Sequence, residues 1–293
     1  MFTGVVSYAQ QDAQFTQYMY NTLNVNPAYA GSRGVLSIFG LHRTQWVGLD
    51  GAPVTNAFTV HSPIGESRLG LGLEFLTDRI GPTKESNITA DVSYTIPTSE
   101  SYKLSFGVKV TGNFFSLDES MLTPQEQNDP NLQGVSNQFS PNIGAGVYFH
   151  GDKFYAGLSV PNFIETTRYS DNDRKINQER LNYYFITGYV FDLSPSLKFK
   201  PALMTKLVMG APLQIDVSGN FLINEKFVIG AAYRWSAAMS AMVGFQVTDA
   251  LFLGYGYDLE TTELNNYNDG SHEIFLRYEL FNRYDRITTP RFF

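Results

Sequence analysis

From Ser86 to Gly112 apolar and polar residues alternate almost without a break. Ile88, Ala90, Val92, Tyr94 and Ile96 share one face, and Asn87, Thr89, Asp91, Ser93 and Thr95 the other, which is the period of a two-faced strand. After a short turn at 97–101, Tyr102, Leu104, Phe106, Val108 and Val110 are set against Lys103, Ser105, Gly107, Lys109 and Thr111, so the two runs make a hairpin. Each arm holds about 9–11 alternating residues, the length of a tilted strand that crosses a bilayer, whereas strands of soluble proteins run to about 5–6. Tyr94 and Tyr102 flank the turn on the apolar face, where an interfacial girdle places amphipathic rings. That face is expected to look outward to lipid.

Composition agrees with this reading. Aromatics make up 15% and charged residues 17% of the chain, and no run approaches the ~18 apolar residues of a spanning helix. A transmembrane barrel has this average because half of each strand faces water. The net charge of −7 comes without any basic stripe, which argues against nucleic acid. The absence of cysteine excludes disulfides, thiolate metal sites and a lipid anchor on an N-terminal Cys. Residues 1–9, ending in Ser7-Tyr8-Ala9, read as the remnant of a secretory signal, although no Lys or Arg precedes them.

Residues 10–33 do not alternate. Phe15, Tyr18, Met19, Thr22 and Leu23 fall at helical spacing before Asn26-Pro27 breaks the pattern, which predicts a short helix followed by an extended segment. It can lie on the periplasmic rim or plug the lumen. The second reading draws on the inward-facing glycines Gly70, Gly72, Gly144, Gly146, Gly254 and Gly256, which let another backbone come close, while glycine can equally serve sheet curvature.

From residue 34 to 293 the expectation is an all-β, antiparallel transmembrane barrel of about 14 strands, the first being the least clear. Their spans are approximately 34–45, 53–62, 68–78, 86–96, 102–115, 139–150, 153–161, 181–193, 197–208, 212–223, 226–236, 239–248, 251–260 and 271–281. Connections after even strands are tight, as at Asn224-Glu225, and several after odd strands are long, at 118–138, 162–180 and 261–270. Short periplasmic turns with longer outer loops predict an outer-membrane location with both termini in the periplasm.

No catalytic pattern emerges. His42, His61, His150 and His272 show no metal-ligand spacing, and no Gly-x-Ser-x-Gly elbow occurs, so neither an enzyme nor a cofactor is expected. Asp171-Asn172-Asp173 reads as a solvated acidic turn rather than a calcium loop. Lys103, Lys109, Lys198, Lys200 and Lys206 point inward with Asp91, Asp216, Glu273 and Glu279, and mutual pairing is the expected arrangement. Ordinary surface loops account for the polar composition of the longest connections, but loops longer than about 12–15 residues without structure are uncommon unless functional or disordered, so partner contacts are sought there, with Leu117, Asp118, Gln138, Arg168, Asp171, Arg174 and Tyr267 as candidates.

Several motifs resemble the signature of the PorP/SprF family. They are Gln14-Phe15-Thr16-Gln17-Tyr18-Met19, then Asn26-Pro27-Ala28-Tyr29-Ala30-Gly31, then Arg43-Thr44-Gln45-Trp46-Val47-Gly48 with Gly51-Ala52-Pro53 and Thr55, and a terminal Pro290-Arg291-Phe292-Phe293. The resemblance implies an outer-membrane barrel of the type IX secretion and gliding-motility apparatus of Bacteroidetes. Such a barrel binds, helps export or anchors a secreted adhesin-like surface protein through a type B C-terminal domain, or couples to the translocon, a periplasmic ring and its lipoprotein. Asn26, Pro27, Ala28, Gly31, Arg43, Gln45, Trp46, Gly48 and Pro53 are then structural or plug-holding residues. Trp46 reads either as a girdle residue or as a pin for the loop 48–52, with Arg43 turned inward onto backbone carbonyls of the N-terminal segment. The rival reading is a transporter of the fatty-acid-channel kind, which calls for an apolar lumen where this one reads as polar, charged and glycine-rich.

Overall fold

The computed structural model describes residues 18–118, 121, 138–164, 170–171, 174–175 and 181–280. The signal remnant, the first part of the Gln14–Met19 motif and the terminal Pro290–Phe293 motif lie outside the described residues.

The alternating runs form fourteen antiparallel strands. They are β1 (Leu36–Thr44), β2 (Val54–Pro63), β3 (Leu69–Ile80), β4 (Thr83–Pro97), β5 (Tyr102–Leu117), β6 (Gln138–Gly151) and β7 (Phe154–Val160). β8 runs over Asn182–Tyr189 and resumes as Phe191–Ser194. There follow β9 (Leu197–Val208), β10 (Gln214–Ile223), β11 (Phe227–Arg234), β12 (Ala238–Gln246), β13 (Leu251–Glu260) and β14 (Ser271–Leu280). A hairpin of Ser170–Asp171 with Arg174–Lys175 stands apart from the sheet.

Each strand pairs with its chain neighbours, and β1 closes the ring on β14 from Leu36↔Leu280 to Thr44↔His272. Closure satisfies every edge, which is what a sheet in hydrocarbon requires. Following the registers once around the ring displaces the starting point by about 14 residues, equal to the strand number, which sets a tilt of about 35° and a backbone radius of about 12–13 Å. After side chains of about 5–6 Å on each wall, the bore admits one helix-width of chain, about 10–12 Å.

The apolar face is the outer one: Leu73 and Val110 are both 58% exposed, whereas Asp91 and Lys109 opposite them are buried. The strand boundaries follow the alternation closely, with tight turns at one end, such as Asn224 and Glu225 at φ 52 and 54. At the other end the connections 45–53, 161–181 and 261–270 are longer, although 81–82 and 235–237 are short there too. The indistinct first strand has a physical explanation. In β1 the inward face carries Phe39 and Leu41, both buried, and the outward face carries His42 and Thr44, so the amphipathic sense inverts along its length.

Candidate functional site

Residues 18–33 lie in the lumen. The segment makes one helical turn, α1 (Thr22–Val25), within the span where the spacing predicts a short helix, and then a 3₁₀ turn over Pro27–Tyr29. Both sides of it are buried, so no solvent face remains to sustain amphipathicity. Tyr20 stacks on Phe252 and contacts Phe275, and Tyr29 meets His61 and Tyr148 edge to face. These rings join Phe39, Tyr155, Ile186, Met204 and Met242 in an apolar cluster inside the barrel, which the polar reading of the lumen did not anticipate.

The segment approaches the wall where the wall has no side chains. A methyl group on Gly107 would collide with the backbone of Pro27 and Ala28, one on Gly146 with the Asn26 side chain, and one on Gly70 with the Ala30 carbonyl. Of the glycines singled out from the sequence, Gly70 is met by the backbone of the segment and Gly72 and Gly146 by its Leu23 and Asn26 side chains, whereas Gly144 faces the Pro161 carbonyl and Gly254 the Phe275 ring. Gly107 escaped sequence reasoning because it sits as one polar-face residue in a regular alternation.

Polar wall residues hold the segment's backbone. Lys109 Nζ donates to the Asn24 carbonyl at 3.1 Å, Ser159 Oγ to the Val25 carbonyl at 2.7 Å and Ser93 Oγ to the Ala30 carbonyl at 2.7 Å. Asn26, at 0% exposure, donates through Nδ2 to the Val147 carbonyl at 3.1 Å, and its Oδ1 accepts from Ala28 N–H at 3.0 Å, capping the 3₁₀ turn. Gly31 N–H donates to His61 Nδ1 at 3.1 Å.

Luminal charges pair with one another. Arg43 lies 2.7 Å from Asp258 and 3.1 Å from Glu273, Lys109 lies 2.7 Å from Glu74, and Arg234 lies 2.6 Å from Asp216. Arg33 pairs with Glu279. Lys200 sits over the Tyr155 ring and Lys206 over Tyr184. Lys103 is exposed at the tight-turn end, and Lys198 pairs with Glu225 there at 3.6 Å. Arg43 thus points inward as expected, but its guanidinium sits between carboxylates of β13 and β14, and the carbonyls of the segment bond to Lys109, Ser93 and Ser159.

Trp46 is a pin. It adopts φ 47, its Nε1–H donates to Glu260 at 2.9 Å, and its backbone N–H donates to Ser271 Oγ at 3.2 Å. Val47 exchanges backbone hydrogen bonds with Gly270 and Asp269 at 2.9 and 2.8 Å, Gln45 N–H donates to the Pro53 carbonyl at 2.9 Å, and Gly81 N–H donates to the Gly51 carbonyl at 2.8 Å. The β1–β2 loop is laced to the β13–β14 loop on one side and to the β3–β4 turn on the other. Gly48, at φ 97, lies against Asp269 within this lacing.

The loop candidates divide. Tyr267 is 70% exposed on the laced platform, and Asp118 is exposed with its N–H bonded to the Pro82 carbonyl. Gln138 begins β6 opposite Phe115. Leu117 is buried on the inward face, which removes it from an outer contact surface. Asp171 and Arg174 are register partners in the small hairpin. Arg168 lies outside the described residues, as do the side chains of Asp171 and Arg174. No group of three or more His, Cys, Asp or Glu that could hold a metal ion occurs among the described residues.

The family described as type IX secretion system membrane protein PorP/SprF matches residues 7–278. The chain belongs to the PorP/SprF family. In this PorP/SprF barrel residues 26–31 belong to the lumen segment and residues 45–53 to the laced loop. No curated protein matches the chain. Among solved structures the PorP/SprF barrel is similar to the outer membrane protein Omp33 of Acinetobacter baumannii, at 8% identity over 84% of this chain and 98% of that one with a TM-score of 0.51. It is also similar to the CymD monoaromatic hydrocarbon channel, at 10% identity over 92% and 94% of the two chains with a TM-score of 0.49. The family and the barrel fold place the protein in the outer membrane as a type IX secretion barrel.

Proposed function

We propose that this barrel works by protein contact at its long-loop end, binding a secreted surface protein through a type B C-terminal domain and anchoring it or assisting its export. In this reading the long-loop end faces outward, both termini are periplasmic, and the periplasmic end meets the translocon, ring or lipoprotein components of the apparatus. The role is structural and non-enzymatic. The observation that carries it is the use of the bore: residues 18–33 lie across it, bonded to the wall by Lys109, Ser93, Ser159 and Asn26. The apolar luminal rings that a fatty-acid channel would offer to its ligand are packed against Tyr20 and Tyr29 instead. The platform formed by loops 45–53 and 261–270 is pre-ordered, which lowers the entropic cost of docking a partner. Tagged protein purified in mild detergent from its native outer membrane should carry a large secreted protein. Recovery of the barrel alone with a fatty acid in its lumen would overturn the reading in favour of a transporter.

A further inference from the structure

The outward face of the wall is apolar on most strands and departs from that at one place. Among the described residues, the fully charged side chains at outward-facing strand positions are Arg79 of β3 and Lys84 of β4, both exposed. They are register partners, and like charges placed directly opposite destabilise a sheet. Neither has a carboxylate within ion-pair distance among the described residues; Arg79 reaches only Met121 Sδ, at 3.9 Å. Their chain neighbours Asp78 and Glu85 face the lumen, where Thr55 donates to Asp78 at 2.6 Å and Asn113 donates to Glu85.

A polar belt leads to this pair along the outer surface. His42 Nδ1 lies 2.8 Å from Asn56 Oδ1, and Asn56 Nδ2 donates to Thr77 Oγ1 at 3.3 Å. Thr77 is opposite Ser86, two register steps from the two cations and the neighbouring pair on the outward face. Below the belt the same strands present Phe58, Leu73, Phe75 and Ile88, all exposed. Arg79 stands four residues beyond Phe75, about 13 Å along the strand, at the level where an apolar band about 25 Å tall gives way to headgroups. Snorkelling accounts for one cation at such a level. It does not account for two in register above a belt of hydroxyl, amide and imidazole groups.

We propose that the outer surface of β1–β4 binds a phosphorylated glycolipid of the outer leaflet. Arg79 and Lys84 hold its phosphate by charge-assisted hydrogen bonds. Its sugar hydroxyls rest on the Asn56–Thr77 belt, and its acyl chains lie along Phe75 and Ile88. The choice of an outer-leaflet lipid rests on the orientation proposed above, and the readout involves no secreted protein, so failure here is distinguishable from failure of that reading.

The test is native mass spectrometry of the whole protein in detergent, titrated with bisphosphoryl lipid A, its dephosphorylated form and phosphatidylglycerol. Bisphosphoryl lipid A should bind in preference to both others, and the R79Q/K84Q double variant should bind it about thirtyfold more weakly. Folding of that variant is read from its heat-dependent shift on a denaturing gel, and the single variants R79Q and K84Q serve if the double variant does not fold. Unchanged binding by a folded variant would overturn the proposal. So would equal or tighter binding of phosphatidylglycerol by the unmodified protein, since that marks cations that only snorkel or a surface facing the other leaflet.

Discussion

A single methyl-bearing side chain at position 107 should loosen the luminal segment while leaving the barrel standing. Gly107 lies mid-strand in β5, paired with Ser93 and Gly146, and a Cβ there meets Pro27 and Ala28 backbone atoms rather than a flexible side-chain end. Gly107→Val therefore forces the segment off the wall by roughly an ångström. Overpacking of this kind costs about 1–3 kcal/mol. The displacement also stretches the adjacent bonds from Asn26 to Val147 and from Ser93 to Ala30, each contributing about 1 kcal/mol. Together the segment loses about 3–5 kcal/mol of docking, which raises the population of its released state by about 10²–10³·⁵. The chain has no cysteine, so Leu23→Cys introduces a unique probe at a buried luminal position. Its maleimide labelling rate should be very low in the parent and rise by that factor with Gly107→Val. Gly40→Ala is the control, because its Cβ meets only the Leu276 side chain, at 3.7 Å. An unchanged rate in a folded Gly107→Val barrel would show that the segment does not depend on close approach to the wall.

Arg43→Ala leaves Asp258 and Glu273 buried beside a lost cation, and should destabilise the barrel by about 3–5 kcal/mol, seen as a lower temperature for its gel shift; Arg43→Lys should recover part of that. Asn26→Ala removes both the bond to Val147 and the cap on Ala28, so Leu23→Cys labelling should accelerate by about ten- to hundredfold, consistent with about 1–3 kcal/mol. Trp46→Phe keeps the ring but removes the bond to Glu260, and hydrogen exchange should rise about fivefold at 45–53 and 261–270, for about 1 kcal/mol, with strand amides unaffected. Protease added to whole cells should cut within 118–138 or 161–181 and spare the tight turns; cleavage at 97–101 instead would reverse the proposed orientation.

Much of this fold was legible because a barrel wall writes itself locally. Each residue of Leu69–Ile80 or Thr83–Pro97 faces either lipid or lumen, and one period of two records the choice. Where two burial environments share one face, the signal blurs. β1 is the example, since Phe39 and Leu41 turn inward to meet aromatic neighbours such as Phe275, and His42 turns outward into the polar belt. The partnership of Arg43 with Asp258 and Glu273 spans more than two hundred residues, and no local pattern announces it. Leu117 illustrates the same limit at a strand end, where one residue of register decides between the lumen and the loop surface.

By itself, then, the sequence determined the class, the strand number and the sidedness of the wall, because alternation, strand length and turn chemistry act over a few residues. Its motifs also marked residues 26–31 and 43–53 as special without saying what they touch. Only the tertiary structure decided that the first motif lies on glycines of β3, β5 and β6 and that the second is tied to the β13–β14 loop. It alone set Arg79 beside Lys84 above a polar belt. The luminal contacts depend on the shear with which the ring closes, a property of all the registers together, whereas the Arg79–Lys84 pairing follows from the register of one hairpin about the turn 81–82, where local alternation ends.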